Sequence, residues 1–401
     1  HPDPEEPFNP DDYLPQKHNA LRLIPGYAKS LHERYTRCLD LLLCPRAIKN
    51  KININPDSLL PELPDPRDLR PFPISKSINF STKSDAPINA LSFDSTGCFF
   101  ASAQDKNVSI WSVQDARCFV SWSFDDVVTS VTWNPGFNVP ILAATHGSSV
   151  SLLTPALASF PGSSSAREIL ARGRNNGESV PDASWKVCNE NEIRIALPGP
   201  AKQVTWHRKG DYFATVSQPS NSESSASSVI IHHLSRHASQ RPFNRLPNVP
   251  IHVAFHPLKH AIMLVSPAGA VRIYNLQSGA LEKKLQPDSS AALSATLAIH
   301  PSGDHVLMAG SDGRVIWFDL DLASRPYQTL TGHSGAVRCV TFHQRLPLFA
   351  SASADGSVQI SHGQVFQDLM QNPIIVPVKI VTGHSNKPAA ATNQRVALTQ
   401  C

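Results

Sequence analysis

The chain has 401 residues, 41% of them apolar, which is enough to bury a large core, and a formal net charge of +4. A charge this small permits a nucleic-acid partner without requiring one, because dedicated nucleic-acid binders have a stronger basic bias. Seven cysteines without a C-x-x-C pair indicate a reducing compartment. The lack of a long apolar run argues against a membrane span and a secretory signal.

Residues 1–71 are predicted to form an extended N-terminal segment that contains one helix. The helix is expected over 28–43, where Leu31, Tyr35 and Leu42 contribute to an apolar stripe at helical spacing. Pro45 ends it. The proline-studded stretch at 55–73 is predicted to run as an extended strap over a surface.

Charged residues of this segment are candidates for partner contacts. Arg34 and Arg37 lie on the predicted helix, where they either touch phosphates or belong to a solvated face. Arg67 and Asp68 lie in the strap, and we expect them to fix it in place. Reversing either charge should then weaken assembly with a partner without unfolding the rest of the protein.

A short element recurs through residues 72–384, in which an apolar stretch leads into an aromatic residue or Ile and then a polar turn. Most intervals between these anchors are 40–49 residues, and one is 73; the anchors are Phe93, Trp133, Trp206, Phe255, Ile299 and Phe342. A period of about 40–45 residues with four short strands per unit is typical of WD-repeat blades. The sequence therefore predicts an all-β WD-repeat β-propeller, a fold that usually serves as a rigid platform for partners.

The long interval is explained by an insertion at about 155–200, rich in Ser, Gly, Arg and Asn, which is predicted to be a mobile loop. Three tight turns indicate hairpins: Ser311-Asp312-Gly313, Ala354-Asp355-Gly356 and Ala268-Gly269.

Six units are complete, and a seventh is expected to be aborted. Gly383-His384 resembles the start of another blade, but the tail at 385–401 has no alternating apolar strand. We expect natural relatives to have seven blades and this chain to be a truncated or alternatively spliced product. A segment near 72–80 is a candidate for the outer strand of the last blade.

Two histidine clusters have both a chemical and a structural interpretation. His333 and Asp355 of the sixth unit are either an acid–base pair or, as is favoured, a buried staple that holds the blade, with Ser353 as the hydroxyl partner. His232 and His233 are adjacent strand residues that point to opposite faces, so they cannot both bind one metal ion. The sequence predicts no catalytic residue, no metal and no cofactor.

One set of residues is predicted to face a single rim of the propeller, because each lies four positions before an anchor. The set mixes charge types, and it fits a protein interface better than a phosphate channel. Arg338 is the expected hot spot, although all six also fit ordinary rim positions: Asn89, Thr129, Lys202, Ile251, Ala295 and Arg338.

Several strings are not generic to propellers, and on them the chain resembles the Block of Proliferation family of eukaryotic ribosome-biogenesis proteins. The resemblance covers residues 1 to about 384. The strings are Arg37-Cys38-Leu39-Asp40-Leu41, Pro64-Asp65-Pro66-Arg67-Asp68-Leu69-Arg70-Pro71, Gln203-Val204-Thr205-Trp206-His207, Trp317-Phe318-Asp319-Leu320-Asp321-Leu322 and Asp368-Leu369-Met370-Gln371-Asn372-Pro373.

The resemblance implies a non-enzymatic assembly factor of the large (60S) ribosomal subunit in the nucleolus and nucleoplasm. It implies a complex with pescadillo and with a second WD-repeat protein that carries a ubiquitin-like domain. It also implies contact with pre-ribosomal RNA in a 66S-type pre-ribosome, and a role in maturation of the 5.8S and 28S-type RNAs.

Other functions stay open. A WD-repeat substrate receptor for ubiquitin ligation would carry ligase-adaptor motifs, which are not evident. A propeller hydrolase would place acidic or His residues at the central channel, and the rim set lacks them. An inactive truncated isoform is a third alternative.

Overall fold

The computed structural model describes residues 16–44, 64–75, 77–80, 82, 86–136, 139–155, 162–172, 183–218, 228–243, 246–265, 270–287, 293–366 and 374–382. The chain divides into two compact units, His1–Glu62 and Leu63–Cys401. The division at residue 71 stays a prediction.

The first unit contains a 3-10 turn, Leu21–Leu23, and one helix, α1, Tyr27–Leu43. The helix predicted over 28–43 is thus confirmed. Gly26, with φ of 76°, precedes the helix in a left-handed conformation that glycine adopts without steric cost. No residue of α1 is buried, and Leu42 of the apolar stripe is 80% exposed.

The second unit is a propeller of six antiparallel sheets, or blades, so the predicted fold is confirmed. In each blade consecutive strands are neighbours, and the first strand is the inner one because it contacts the first strand of the next blade. The strands of blades one to three are Ile88–Phe93 (β1), Phe99–Gln104 (β2), Asn107–Ser112 (β3) and Cys118–Ser123 (β4); Val128–Trp133 (β5), Leu142–His146 (β6), Ser149–Leu153 (β7), Ser184–Asn189 (β8) and Glu192–Ala196 (β9); and Ala201–Trp206 (β10), Tyr212–Ser217 (β11), Val229–His233 (β12) and Ala238–Gln240 (β13).

Blades four to six follow the same plan. Their strands are His252–Phe255 (β14), Ala261–Val265 (β15), Val271–Asn275 (β16) and Leu281–Leu285 (β17); Leu293–Ile299 (β18), His305–Gly310 (β19), Arg314–Asp319 (β20) and Gln328–Thr331 (β21); and Val337–Phe342 (β22), Leu348–Ser353 (β23), Ser357–Gln364 (β24) and Ile374–Thr382 (β25).

The hydrophobic core lies between blades, because alternate residues of each strand point to opposite faces of its sheet. In blade six, Phe349 packs with Trp317 of blade five, whereas its neighbours Leu348 and Ala350 belong to a cluster on the other face. Alternation of this kind produces a separate core between each pair of successive blades from one to six.

Blades six and one are not joined in this way. Among the described residues, β22 and β1 make no contact comparable to those between other successive inner strands. Phe72 packs on the blade-six face turned away from blade five, and Phe80 packs edge-on against Phe100 of blade one, with ring centroids 4.8 Å apart. The segment 72–80 therefore lines the opening between these blades, but its described residues form no strand, contrary to the prediction.

The prediction of a mobile loop over 155–200 is wrong for its described part. The insertion contributes α2, Ser163–Arg172, and the two outer strands of blade two, in the order β5-β6-β7-β9-β8. Ala166 and Leu170 of α2 are buried in the core between blades two and three. The polar composition concealed the alternating Ile193 and Ile195, both buried, which pack as strand residues do.

Two of the predicted hairpin turns are confirmed. Gly313 joins β19 to β20 with φ of 82°, and Gly356 joins β23 to β24 with φ of 80°. Positive φ is the reason a glycine stands at each position. The turn at Ala268-Gly269, the pair Gly383-His384 and the tail 385–401 lie outside the described residues.

Candidate interaction site

The rim residues predicted from sequence coincide with a repeated irregularity in the inner strands. In four of the six blades the pairing of the inner strand with its neighbour passes over one residue, which is Asn89 in β1, Thr129 in β5, Lys202 in β10 and Arg338 in β22. Such bulges redirect a side chain out of the regular ladder. They occur near the beginning of each strand, at one end of the central channel.

Two of these side chains join adjacent blades. Asn89 Nδ2 donates to the Val128 carbonyl oxygen at 3.0 Å, and Thr129 Oγ1 donates to the Ala201 carbonyl oxygen at 2.9 Å. Because carbonyls left unpaired between blades would be costly, these bonds explain the polar residues without a ligand. Asn89 and Thr129 thus take part in bonding between blades, and their contact with a partner stays a prediction.

Among the members of the set whose side chains are described, Lys202 is the most accessible, since its side chain is exposed next to these inter-blade bonds. Arg338 and Ile251 are half-buried, and the side chain of Ala295 lies outside the described residues. The carbonyl oxygen of Arg338 accepts a hydrogen bond from Thr296 Oγ1 at 2.9 Å, so its backbone is also held by the preceding blade.

The other end of the inner strands carries a ring of turn residues with a common role. After the anchor, a side chain turns back and accepts hydrogen bonds from the turn backbone: His343 Nδ1 from Arg345 N and Leu346 N, at 3.1 and 2.8 Å. His256 Nδ1 accepts two such bonds, at 3.0 and 2.9 Å. The Nδ1 acceptor requires a neutral ring with the proton on Nε2. Burial lowers the pKa of His256, which favours that neutral form.

The blade-six cluster contains a Ser–His–Asp arrangement that is closed to substrate. His333 Nε2 meets Ser351 Oγ at 2.7 Å, and His333 Nδ1 lies 3.5 Å from Asp355 Oδ2. The order resembles a nucleophile, base and orienting carboxylate. However, the His333 side chain is only 1% exposed and Ser351 is 3% exposed, so no substrate reaches the hydroxyl.

The hydroxyl partners of His333 differ from the predicted one. They are Ser351 and, at Nδ1, Ser357 at 3.1 Å, whereas Ser353 Oγ donates to the Gly335 carbonyl oxygen at 2.9 Å. Although burial raises the pKa of Asp355, hydrogen bonds from Ser357 and the Ser334 N–H together with His333 hold it well below its usual range. Asp355 thus stays ionised and accepts the hydrogen bonds that hold the turn, as its structural role requires.

Blade three shows the same kind of network without a carboxylate. His232 is fully buried between Thr215 Oγ1, 2.9 Å from Nε2, and Ser239 Oγ, 2.8 Å from Nδ1, and burial lowers its pKa to about 3. His233 points away, with Nε2 3.3 Å from Asp211 Oδ2. The opposite orientation predicted for this pair is confirmed. No group of three metal-binding side chains occurs in the described part of the chain.

The four charged candidates of the first 71 positions are accessible. Arg34 and Arg37 lie on the exposed helix α1, and Arg67 and Asp68 are exposed in a turn. That turn is organised by Asp65, whose Oδ1 accepts the Arg67 N–H at 2.9 Å and whose carbonyl accepts the Asp68 N–H at 2.9 Å. Asp65 and the apolar Phe72 therefore help to hold the described strap, and the role of the Arg67 and Asp68 side chains stays a prediction.

Sequence reasoning missed a groove between blades three and four. It has a volume of about 430 Å³ and is lined by Lys209, Tyr212, Arg241 and Phe255, among others. The sequence did contain a pattern that could have indicated this groove, because basic residues concentrate in the turns at 207–211 and 256–260. Only the packing of one blade on the next brings the two turns to one cavity.

Comparisons with known proteins agree with this architecture. The BOP1NT (NUC169) domain family matches residues 3–73, and the WD domain, G-beta repeat family matches residues 76–112, which contain β1 to β3 of blade one, and 324–360, which contain the outer strand of blade five with β22 and β23 of blade six. In the described part of the chain, no helix combines the length and the apolar character that a membrane crossing requires.

Curated relatives match nearly the whole chain. Ribosome biogenesis protein BOP1 of Rattus norvegicus is 41% identical over 382 residues, covering 93% of this chain and 51% of the relative. BOP1 of Homo sapiens is 41% identical over 380 residues, and ribosome biogenesis protein ERB1 of Eremothecium gossypii is 38% identical over 421, with 93% and 94% of this chain and half of each relative covered. The chain spans about half the length of these relatives. With a BOP1NT match, WD repeats and identity of about 40% over most of its length, it belongs to the BOP1/ERB1 family of ribosome biogenesis proteins.

Proposed function

We propose that this chain acts as a non-enzymatic scaffold in assembly of the large (60S) ribosomal subunit, in the nucleolus and nucleoplasm. The observation that carries the proposal is the 41% identity, over 93% of the chain, to proteins named for ribosome biogenesis. The structure supports a scaffold because the Ser–His–Asp cluster is closed to substrate and its polar atoms are used to hold the blade.

The partners we propose are pescadillo, a second WD-repeat ribosome-biogenesis protein and pre-ribosomal RNA, with a role in maturation of the 5.8S and 28S-type RNAs. A rigid propeller suits this role, since it presents fixed surfaces to several partners without chemistry of its own. We propose that Lys202 and Arg338, together with the exposed Arg34, Arg37, Arg67 and Asp68, contribute to these surfaces.

Affinity capture of the tagged 401-residue chain from nucleolar extract tests the proposal. We expect pescadillo, the second WD-repeat protein and large-subunit precursor RNA to be recovered, and Lys202→Glu to reduce recovery of at least one of them. Thr129→Ser, which keeps the hydroxyl that bonds to the neighbouring blade, serves as the control at the equivalent bulge. Recovery of none of the three from an extract in which the chain is folded would contradict the proposal.

A further inference from the structure

Basic residues are concentrated in two neighbouring turns of the propeller. The turns that join the first and second strands of blades three and four contain Arg208 and Lys209, and Lys259 and His260, respectively. The corresponding turns of blades one and two, at 94–98 and 134–138, contain no basic residue. All four basic side chains are exposed. Because Arg208, Lys209 and Lys259 are exposed cations, such a concentration favours an anionic ligand.

The two turns border the groove between blades three and four. Its volume of about 430 Å³ falls in the range of ligand sites, roughly 300–1,000 Å³. Blade three contributes Lys209, Tyr212 and Arg241, and blade four contributes Phe255 and His260. Cationic groups therefore line the same space as aromatic rings.

The aromatic wall is built around His207. The His207 ring is edge-on to Phe255, with centroids 5.5 Å apart and an interplanar angle of 85°, and edge-on to Tyr212 at 6.4 Å and 88°. Tyr212 is 37% exposed, so part of its ring faces solvent. Burial, followed by Lys209, Arg208 and His260, lowers the pKa of His207. The His207 ring is therefore uncharged at neutral pH, and it packs against Phe255 and Tyr212 as a neutral ring.

The carboxylate closest in sequence, Asp211, makes its contacts with residues other than Lys209. Asp211 Oδ2 lies 3.3 Å from His233 Nε2, and Asp211 Oδ1 accepts the Ser235 N–H at 3.1 Å. Both of its oxygens are thus engaged with β12 and the turn that follows it. Among the described residues Lys209 forms no ion pair, and its exposed side chain lines the groove.

We propose that this groove binds one nucleotide of single-stranded RNA, with the base against Tyr212 and Phe255 and a phosphate beside Lys209 and Arg241. An exposed ring stacks on an unpaired base, and fixed cations contact the backbone; together these are the features by which proteins bind single strands. The inference rests on the proposed function, which brings the chain to pre-ribosomal RNA, and it adds the location and the strand form of the RNA.

Fluorescence anisotropy with the purified 401-residue chain tests the groove, using a labelled ten-nucleotide single-stranded RNA and a duplex of the same sequence. We expect the single strand to bind more tightly than the duplex. Tyr212→Ala should weaken binding about tenfold, and Tyr212→Phe should bind like the unchanged chain. Lys209→Ala should lower the slope of log affinity against log salt by about 0.7. Arg345→Ala, in the equivalent turn of blade six, is the matched control and should bind normally.

Three results would overturn the proposal: equal affinity for the duplex, unchanged affinity of both Tyr212→Ala and Lys209→Ala, or equal loss in Arg345→Ala. Preferential binding of a phosphopeptide over RNA at the groove would also overturn it. Failure of this RNA-binding inference can be distinguished from failure of the proposed function. If Tyr212→Ala and Lys209→Ala bind RNA normally while the unchanged chain still captures pescadillo and precursor RNA, only the location is wrong.

Discussion

At the scale of single residues, buried histidines are hydrogen-bonding parts of the blades. His232 shows this most clearly, since both ring nitrogens meet hydroxyls and its pKa falls to about 3. Burial also lowers the pKa of His146, His300 and His333. Each of these rings is neutral in the folded protein and becomes protonated more readily once unfolded.

This difference predicts acid sensitivity. When a folded pKa is lowered, the stabilisation is complete above the unfolded pKa of about 6.5 and is lost as pH falls below it, because only the unfolded state takes up the proton. For His232 the free energy of unfolding should fall by about 2 kcal/mol between pH 6.5 and pH 5. Urea unfolding at several pH values checks this. The His232→Gln variant should show a shallower pH dependence, and an unchanged slope would contradict the assignment.

The bulged rim residues give a second prediction at this scale. Asn89→Ala and Thr129→Ala each remove a hydrogen bond between blades and should lower the free energy of unfolding by about 1 kcal/mol. Lys202→Ala, at the same bulge in blade three but exposed, should change stability by less than about 0.5 kcal/mol. Denaturant unfolding of the three variants compares them, and equal losses in all three would show that the bulge itself matters more than its side chain.

At the scale of elements, the insertion acts as a clamp between blades two and three. Trp185 of β8 donates from Nε1 to Ser239 Oγ at 2.9 Å, and its ring stacks on His237 with centroids 4.8 Å apart. Both partners belong to blade three. The outermost strand of one blade is thus secured by the next blade, which explains how an exposed edge strand stays in place.

Trp185→Ala should lower the free energy of unfolding by about 2–3 kcal/mol, somewhat less than for a fully buried Trp. Hydrogen exchange should speed up across β8 and β9 before it does so in β10 and β11. Lys186→Ala, the next residue in the same strand with an exposed side chain, is the control and should leave both quantities unchanged. Unaltered hydrogen exchange in β8 of the Trp185→Ala variant would contradict the role of Trp185 in holding this strand against blade three.

At the scale of the whole molecule, the described residues of the segment 72–80 lie beside blades six and one, whose described inner strands make no contact comparable to that of the other successive blades. Phe72→Ala should lower the free energy of unfolding by about 1–2 kcal/mol, because the ring covers Leu348, Ala350 and Ile360. Ile74→Ala in the same segment is the control, since that side chain is 56% exposed. Thermal unfolding compares the two, and equal effects would mean that Phe72 does not cover the blade.

The features that could be predicted from the sequence are those that depend on residues close together in the chain. Alternating apolar residues and turns such as Ala354-Asp355-Gly356 depend on neighbours in the chain, so the blades, the helix over 28–43 and the opposite orientation of His232 and His233 were predictable. Ser353 was predicted to supply the hydroxyl that bonds to His333, but the structure shows hydrogen bonds from His333 to Ser351 and Ser357 instead. Two serines on one strand are equivalent until the position of the His ring is known.

The sequence by itself determined the repeat, the propeller and, through its similarity to BOP1 and ERB1 proteins, the family. The tertiary structure decided the pairing of the insertion with blade two, the use of Asn89 and Thr129 between blades, and the groove between blades three and four. The physical reason is separation along the chain. Trp185 and Ser239 are 54 positions apart, and only the stacking of blades brings such residues into contact.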